Sequence, residues 1–148
     1  MQKVVVAQAT NEKILSPLRE RAEVTVITNN DANALLSACR DAECLQVGTW
    51  VKITEAFLAE CPNLKVISRT GVGVDNVDVE AASKRGILVL NTPQANTLSV
   101  AEHTMALMLA LGKQLMVLDA HTRGGDFEIR RKNLPMDLDG KTLGLIGF

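Results

Sequence analysis

Along the first ninety residues, short apolar runs rich in β-branched residues alternate with segments whose apolar positions recur at helical spacing. Residues 4–7, 24–27, 44–47, 64–67 and 87–90 read as five strands. Most are continuous apolar runs, the pattern of strands covered on both faces. Between them, Ile14, Leu15 and Leu18 mark a helix over residues 11–21, and Leu35, Leu36 and Cys39 mark a second behind Asp31 as N-cap. Thr54 caps a third, carrying Ala56, Phe57, Leu58 and Cys61 and stopped by Pro62. A short fourth helix over 78–85 is closed by Gly86 in a left-handed cap. Five strands with helices between them predict an α/β fold: a parallel sheet with helices on both faces. In such sheets ligands bind at the carboxyl ends of the strands, so the loops that follow the strands are where function is sought.

The texture changes after Pro93. Ser99 and Glu102 have the spacing of a capping box, which predicts a helix over residues 99–118. Val100, Met105, Leu107, Met108, Leu109, Leu111, Leu115, Met116 and Leu118 place apolar groups around most of its circumference. Such a helix needs cover on more than one side, and the five-strand sheet supplies only one. Residues 124–139 are polar and charged and read as a connecting segment, with Arg130, Arg131 and Lys132 as a solvated basic surface. Residues 140–148 then open a new apolar strand.

Composition narrows the classes of function. The 148 residues carry 16 Lys and Arg against 17 Asp and Glu, a net charge of −1, which argues against nucleic-acid binding by bulk positive charge. An apolar fraction of 47% with so little net charge excludes disorder. Three cysteines, an odd number without metal-ligand spacing, suit core packing in a reducing cytoplasm better than a disulfide framework or a metal site. Residues 4–7 are too few for a signal-peptide core, and the longest apolar stretch, 105–111, falls far short of the ~20 residues of a membrane span.

Two loops carry candidate chemistry. After the fourth strand comes Arg69-Thr70-Gly71-Val72-Gly73-Val74-Asp75-Asn76-Val77-Asp78. Two glycines flanking one residue let successive N–H groups turn toward a common point, and a neighbouring Arg adds a charge that can hold a carboxylate. Taken alone the same glycines also fit a tight turn. The second loop, residues 91–99, offers amides and hydroxyls at a helix N-terminus, where anions are favoured, and fits ordinary helix capping equally well.

Four segments in order carry a family resemblance: residues 69–78; Gly86-Ile-Leu-Val-Leu-Asn-Thr-Pro93; Asn96-Thr-Leu-Ser-Val-Ala-Glu-His103; and Gly140-Lys-Thr-Leu-Gly-Leu-Ile-Gly-Phe148. Together they resemble the N-terminal part of the D-isomer-specific 2-hydroxyacid dehydrogenases, most closely the phosphoglycerate dehydrogenase branch. The resemblance implies a flavodoxin-like substrate-binding domain over residues 1–95, a long interdomain helix and connecting segment over 96–139, and the first strand of a truncated Rossmann domain over 140–148. It implies that Arg69, Asn96 and the amides of Val72 and Gly73 hold the substrate, that Thr97 and Val100 touch the nicotinamide end of NAD, and that Gly147 is the first glycine of the dinucleotide fingerprint. The cofactor implied is NAD, with NADP as the alternative.

The resemblance also implies that the catalytic Arg, Glu and His lie beyond residue 148. His103 and His121 are then ordinary helix residues, and the chain alone is expected to be inactive. A homodimer through the long helix, a small 2-oxo or 2-hydroxy acid as ligand, and no nucleic-acid or membrane partner complete the expectation. One departure stands out: Gly48 occupies the position after the third strand where phosphoglycerate-type members carry an Arg, which shifts the expectation toward a non-phosphorylated substrate. The alternative is a stand-alone flavodoxin-like ligand-binding or oligomerisation module without catalysis. A receiver domain fits it poorly, because Val6-Ala7-Gln8-Ala9 lacks acidic residues. A flavin module fits poorly because that turn is not a Ser/Thr-rich phosphate loop, and 3% aromatic residues with no Tyr leave few rings to stack on a flavin.

Overall fold

The computed structural model describes residues 1–8 and 10–147. Ala9, in the turn after the first strand, and Phe148, the last residue of the expected Rossmann strand, lie outside the described residues. Two compact units form, Met1–Asn96 and Thr97–Phe148.

The first unit is the α/β fold that the apolar pattern predicts. Strands β1 (Gln2–Ala7), β2 (Ala22–Val26), β3 (Cys44–Val47), β4 (Val66–Arg69) and β5 (Leu88–Leu90) form one sheet in the order β2-β1-β3-β4-β5. All four pairings are parallel, and this is the flavodoxin-like order. Helices α1 (Glu12–Arg19), α2 (Ala32–Cys39), α3 (Glu55–Ala59) and α4 (Val79–Lys84) make the crossovers. Asp31 and Thr54 cap as their sequence positions predict: Asp31 accepts from the amides of Asn33 and Ala34, and Thr54 from that of Phe57. Asn11 and Asp78 cap α1 and α4 in the same way. Gly86, at φ +69°, takes the left-handed turn after α4.

Side-chain alternation divides the core between the two faces. Val5, Ala7, Leu45, Val47 and Ile67 pack against Leu35 and Cys39 of α2, Leu58 of α3, and Ala81 and Ala82 of α4. Val4 and Val6 point to the other face, against Leu15 of α1. Helix α1 covers that face only beside β1 and β2, so Leu88 and Leu90, which share the face by register, are exposed. The apolar run of β5 had predicted burial on both faces. Run length alone does not reveal which strands a crossover helix covers.

Cys39 and Cys61 are 0% and 2% exposed in this core, as expected, and Cys44 is half-buried. Cys39 shares a hydrogen bond with Cys61, and that contact together with burial pushes the Cys39 thiol far up. Burial raises the Cys44 thiol as well. Access outweighs acidity here, since a reagent cannot reach a sulfur that water does not. Under native conditions iodoacetamide is expected to alkylate Cys44 slowly, and Cys39 and Cys61 only as fast as the unit unfolds. Equal labelling of all three, read by mass spectrometry, would contradict this packing.

The second unit departs from the sequence expectation in three ways. The long helix is not continuous to residue 118: α5 (Thr97–Gly112) stops, Gln114 takes φ +52°, and α6 (Leu115–Arg123) starts anew, followed by α7 (Ile129–Lys132). The break has a packing cause. The amide of Met136 donates to the carbonyl of Gly112 at 2.8 Å, and Leu138 lies 3.3 Å from where a Cβ on Gly112 would stand. The returning chain therefore takes a helix carbonyl that the sequence pattern assigns to the next turn. Secondly, α5 begins at Thr97, which puts Ser99 inside the first turn rather than at the cap. Thirdly, residues 140–147 form no strand; a turn from Leu138 to Lys141 and Gly140 at φ +68° precede an irregular segment. A strand needs a hydrogen-bonding neighbour, and none of the described residues supplies one there. The apolar surface of α5 and α6 is open, with Leu111 at 81% exposure. Among the described residues, no helix is long and apolar enough to cross a membrane.

Candidate functional site

Three loops meet at the carboxyl end of the sheet, following β1, β3 and β4. The β1/β3 crevice, where strand order reverses, is occupied by the chain's own side chains. Trp50 Nε1 donates to the carbonyl of Ala7 at 2.6 Å, and Gln8 Oε1 lies 3.1 Å from where a Cβ on Gly48 would stand. A flavin or phosphoacceptor site at that crevice, as in the alternative considered from sequence, finds its room taken.

The β4 loop is built differently. Asn76, on its far arm, donates from Nδ2 to the carbonyls of Gly48 and Val51, 2.9 Å each. The amide of Ile53 reaches the Asn76 carbonyl, and Ile53 and Val77 form a parallel bridge. These bonds fasten residues 74–78 to the β3 loop. On the near arm, Thr70 N–H continues the ladder to Val47, and Gln46 Nε2 donates to the Thr70 hydroxyl. Between the two anchored arms stand Gly71, Val72 and Gly73.

Gly71 has φ +144°, a conformation that L side chains rarely adopt. Its missing side chain leaves the space through which Arg69 crosses: Arg69 Nη1 stands 1.3 Å from the position a Cβ would take. From there Nη1 donates to the carbonyl of Thr70 at 2.9 Å, while Arg69 Nε is buried without an acceptor among the described residues. A buried, unsatisfied guanidinium nitrogen is costly, and a bidentate carboxylate is the partner its geometry suits. The amides of Val72 and Gly73 also donate to no acceptor among the described residues. The loop thus gathers on one turn a cation, two free N–H groups and the carboxylate of Asp75, whose Oδ2 stands 2.7 Å from where a Cβ on Gly73 would be.

The second candidate loop is less organised. Asn96 is exposed and ends the first unit, while Thr97 and Val100 are exposed one turn apart on α5, in the second unit. Gly147 has φ +82° and lies in the irregular segment that ends the described residues. His103 is exposed on α5, and His121 Nδ1 lies 3.0 Å from Asp126 Oδ2 near the end of α6. Asp126, although exposed, is held below the usual carboxylate range by that contact. A polar cleft of about 610 Å³ at the opposite, amino end of the strands is lined by Lys3, Asp41, Glu43 and Lys65, which pair with one another. Arg85, also on its wall, pairs with Glu55 outside it at 3.5 Å.

Sequence reasoning singled out Arg69, Val72 and Gly73 but passed over Asn76, Trp50 and Asn91. Asn76 and Asn91 both lay within quoted motifs. What would have marked Asn91 is position: an amide side chain immediately past a parallel strand is placed to bond the neighbouring loop.

The profile of the D-isomer specific 2-hydroxyacid dehydrogenase catalytic domain matches residues 4–142. The chain belongs to this family. It is 42% identical over 148 residues to the D-3-phosphoglycerate dehydrogenase of Methanocaldococcus jannaschii, covering 100% of this chain and 28% of that protein. Among solved structures it resembles the D-lactate dehydrogenase of Aquifex aeolicus complexed with NAD and lactic acid. That match has a TM-score of 0.81 and 28% identity, covering 91% of this chain and 41% of that one. It also resembles an NADPH-dependent glyoxylate/hydroxypyruvate reductase of Sinorhizobium meliloti complexed with NADP and malonate. Here the TM-score is 0.76 and the identity 30%, over 95% of this chain and 44% of that one. The chain spans just over a quarter of the length of the curated relative.

Proposed function

We propose that this chain is the substrate-binding part of an NAD-dependent enzyme that interconverts a D-2-hydroxy acid and a 2-oxo acid. The observation that carries the reading is the β4 loop: Arg69 crossing Gly71, its Nε without a partner, beside the free amides of Val72 and Gly73. N–H groups and a guanidinium supply the donors and the positive charge that a carboxylate needs. Asn96 is assigned to the same substrate. Residues 1–95 form the substrate-binding domain in this reading, 96–139 the interdomain helix and connecting segment, and 140–148 the start of the NAD-binding domain.

Toward the cofactor, Thr97 and Val100 face the nicotinamide end and Gly147 begins the phosphate turn. The exposure of the α5 first turn fits the first of those roles. The bound nicotinamide supplies or accepts a hydride; the residues of this chain bind and orient. The proton-transferring groups belong to the remainder of the enzyme, and so the chain alone is assigned no catalytic residue. A small organic acid as ligand and a cytoplasmic setting, suited to three free thiols, follow from the same reading.

The test is a division of labour. The 148-residue chain is expected to oxidise no NADH with pyruvate, glyoxylate or hydroxypyruvate, and the enzyme that contains it is expected to do so. Turnover by the chain alone would overturn the assignment. Within the enzyme, non-phosphorylated oxo acids are expected to exceed 3-phosphohydroxypyruvate in kcat/KM by about tenfold. The reason is that Gln8 approaches the place at Gly48 where a phosphate-binding Arg is expected. A clear preference for the phosphorylated acid would overturn that part. The open apolar surface of α5 and α6 is assigned to a homodimer, and a monomer at every concentration in sedimentation velocity would refute it.

A further inference from the structure

Two neighbouring carbonyls of the β4 loop are held from one side. The amide of Thr92 donates to the carbonyl of Gly71 at 3.0 Å, and Asn91 Nδ2 donates to the carbonyl of Val72 at 2.7 Å. No peptide bond here is cis, and a trans peptide directs its N–H opposite to its C=O. The peptide that contributes the Gly71 oxygen carries the Val72 N–H, and the one that contributes the Val72 oxygen carries the Gly73 N–H. With both oxygens drawn toward residues 91 and 92, both N–H groups face away from them, side by side. Along a strand, successive N–H groups point in alternate directions, so a simple continuation of β4 would separate these two. A shared direction is what one carboxylate, or any compact anion, requires of two amides.

The two tethers differ in kind. The bond from Thr92 is backbone, and any residue except proline can make it. The bond to Val72 exists only because residue 91 carries a side-chain amide donor. We propose that Asn91 is a positioning residue: it turns the Val72–Gly73 peptide so that the Gly73 amide joins that of Val72 in holding the substrate carboxylate. Asn91 itself gives both its role and its donor to the loop and need not touch the ligand. The inference rests on the carboxylate-site reading above and adds to it the residue that sets the site's geometry.

The experiment is a titration of the ¹⁵N-labelled chain with sodium oxamate, a compact 2-oxo carboxylate, followed by amide shifts. In the wild type, the Val72 and Gly73 amides are expected to move together and saturate. Asn91→Leu, similar in size but without the donor, is expected to weaken oxamate about tenfold and to speed hydrogen exchange at Gly73. Asn91→Gln keeps the amide donor and is expected to recover most of the affinity. Asn91 is exposed, and unchanged shifts for the β3 and β4 amides will show that the sheet is intact in each variant. Equal oxamate affinity in wild type and Asn91→Leu overturns the positioning role and leaves the carboxylate site standing. So does an Asn91→Gln variant as weak as Asn91→Leu at equal melting temperature. Wild-type amides at 72 and 73 that ignore oxamate overturn the carboxylate site, and this inference with it.

Discussion

Leu45→Ala is expected to remove about 3–5 kcal/mol from the stability of the first unit, the upper part of the range for a buried Leu truncation. Leu45 is 0% exposed on β3, the middle strand of the sheet. Its register neighbours are Val5 on β1 and Ile67 on β4, and Ile67 pairs in turn with Val89 on β5. This row of four apolar side chains crosses the sheet beneath α2, α3 and α4, through Leu35, Cys39, Leu58 and Ala82. Closing the void left by three missing heavy atoms would require strands fixed by ladders on both sides to move, so little of the loss is recovered. The matched control is Leu90→Ala, on β5 at 46% exposure, where about 1 kcal/mol or less is at stake. Urea unfolding of both variants measures the contrast. Similar losses at the two sites would show that the core does not lie where the structure places it.

Gly71→Ala is expected to combine a stability loss of about 1–3 kcal/mol with a fall in carboxylate affinity of about tenfold or more. Two separate causes act at this residue. Its φ of +144° penalises any side chain, and the added methyl would stand 1.3 Å from Arg69 Nη1. That nitrogen ends a flexible side chain, so the clash is relieved cheaply by moving the guanidinium, but moving it takes the cation off the loop. Gly86→Ala separates the two causes. Gly86 also has a positive φ, +69°, yet no atom lies within 4 Å of an added Cβ. It is expected to cost about 1 kcal/mol and to leave ligand affinity unchanged. Thermal unfolding gives the first quantity and oxamate titration the second. An unchanged affinity in Gly71→Ala would remove Arg69 from the carboxylate site.

Much of this was legible in the sequence because it is local. A run such as 4–7 fits a strand buried on both faces, Asp31 and Thr54 precede helical spacing with a side-chain acceptor in reach, and Gly86 follows a helix where a left-handed turn is due. The glycine pair at 71 and 73 also advertised a turn able to present amides, although the same pair fits a turn with no ligand at all.

What the sequence by itself determined is therefore the set of elements of the first unit, their parallel arrangement and the loop with the glycine pair, because each depends on residues within a few positions of one another. The tertiary structure alone decided three things. It placed Asn91 and Thr92 beside Gly71 and Val72, a contact between loops some twenty residues apart that turns two amides to one side. It broke the long helix at residues 113–114, because the returning Met136 took the carbonyl of Gly112. It also left Leu88 and Leu90 open, since which face a crossover helix covers is set by packing across the whole sheet and not by the run of residues in any strand. Hydrogen bonds and cover supplied from a distance leave no periodic trace in the chain, and those are the features that shape this site.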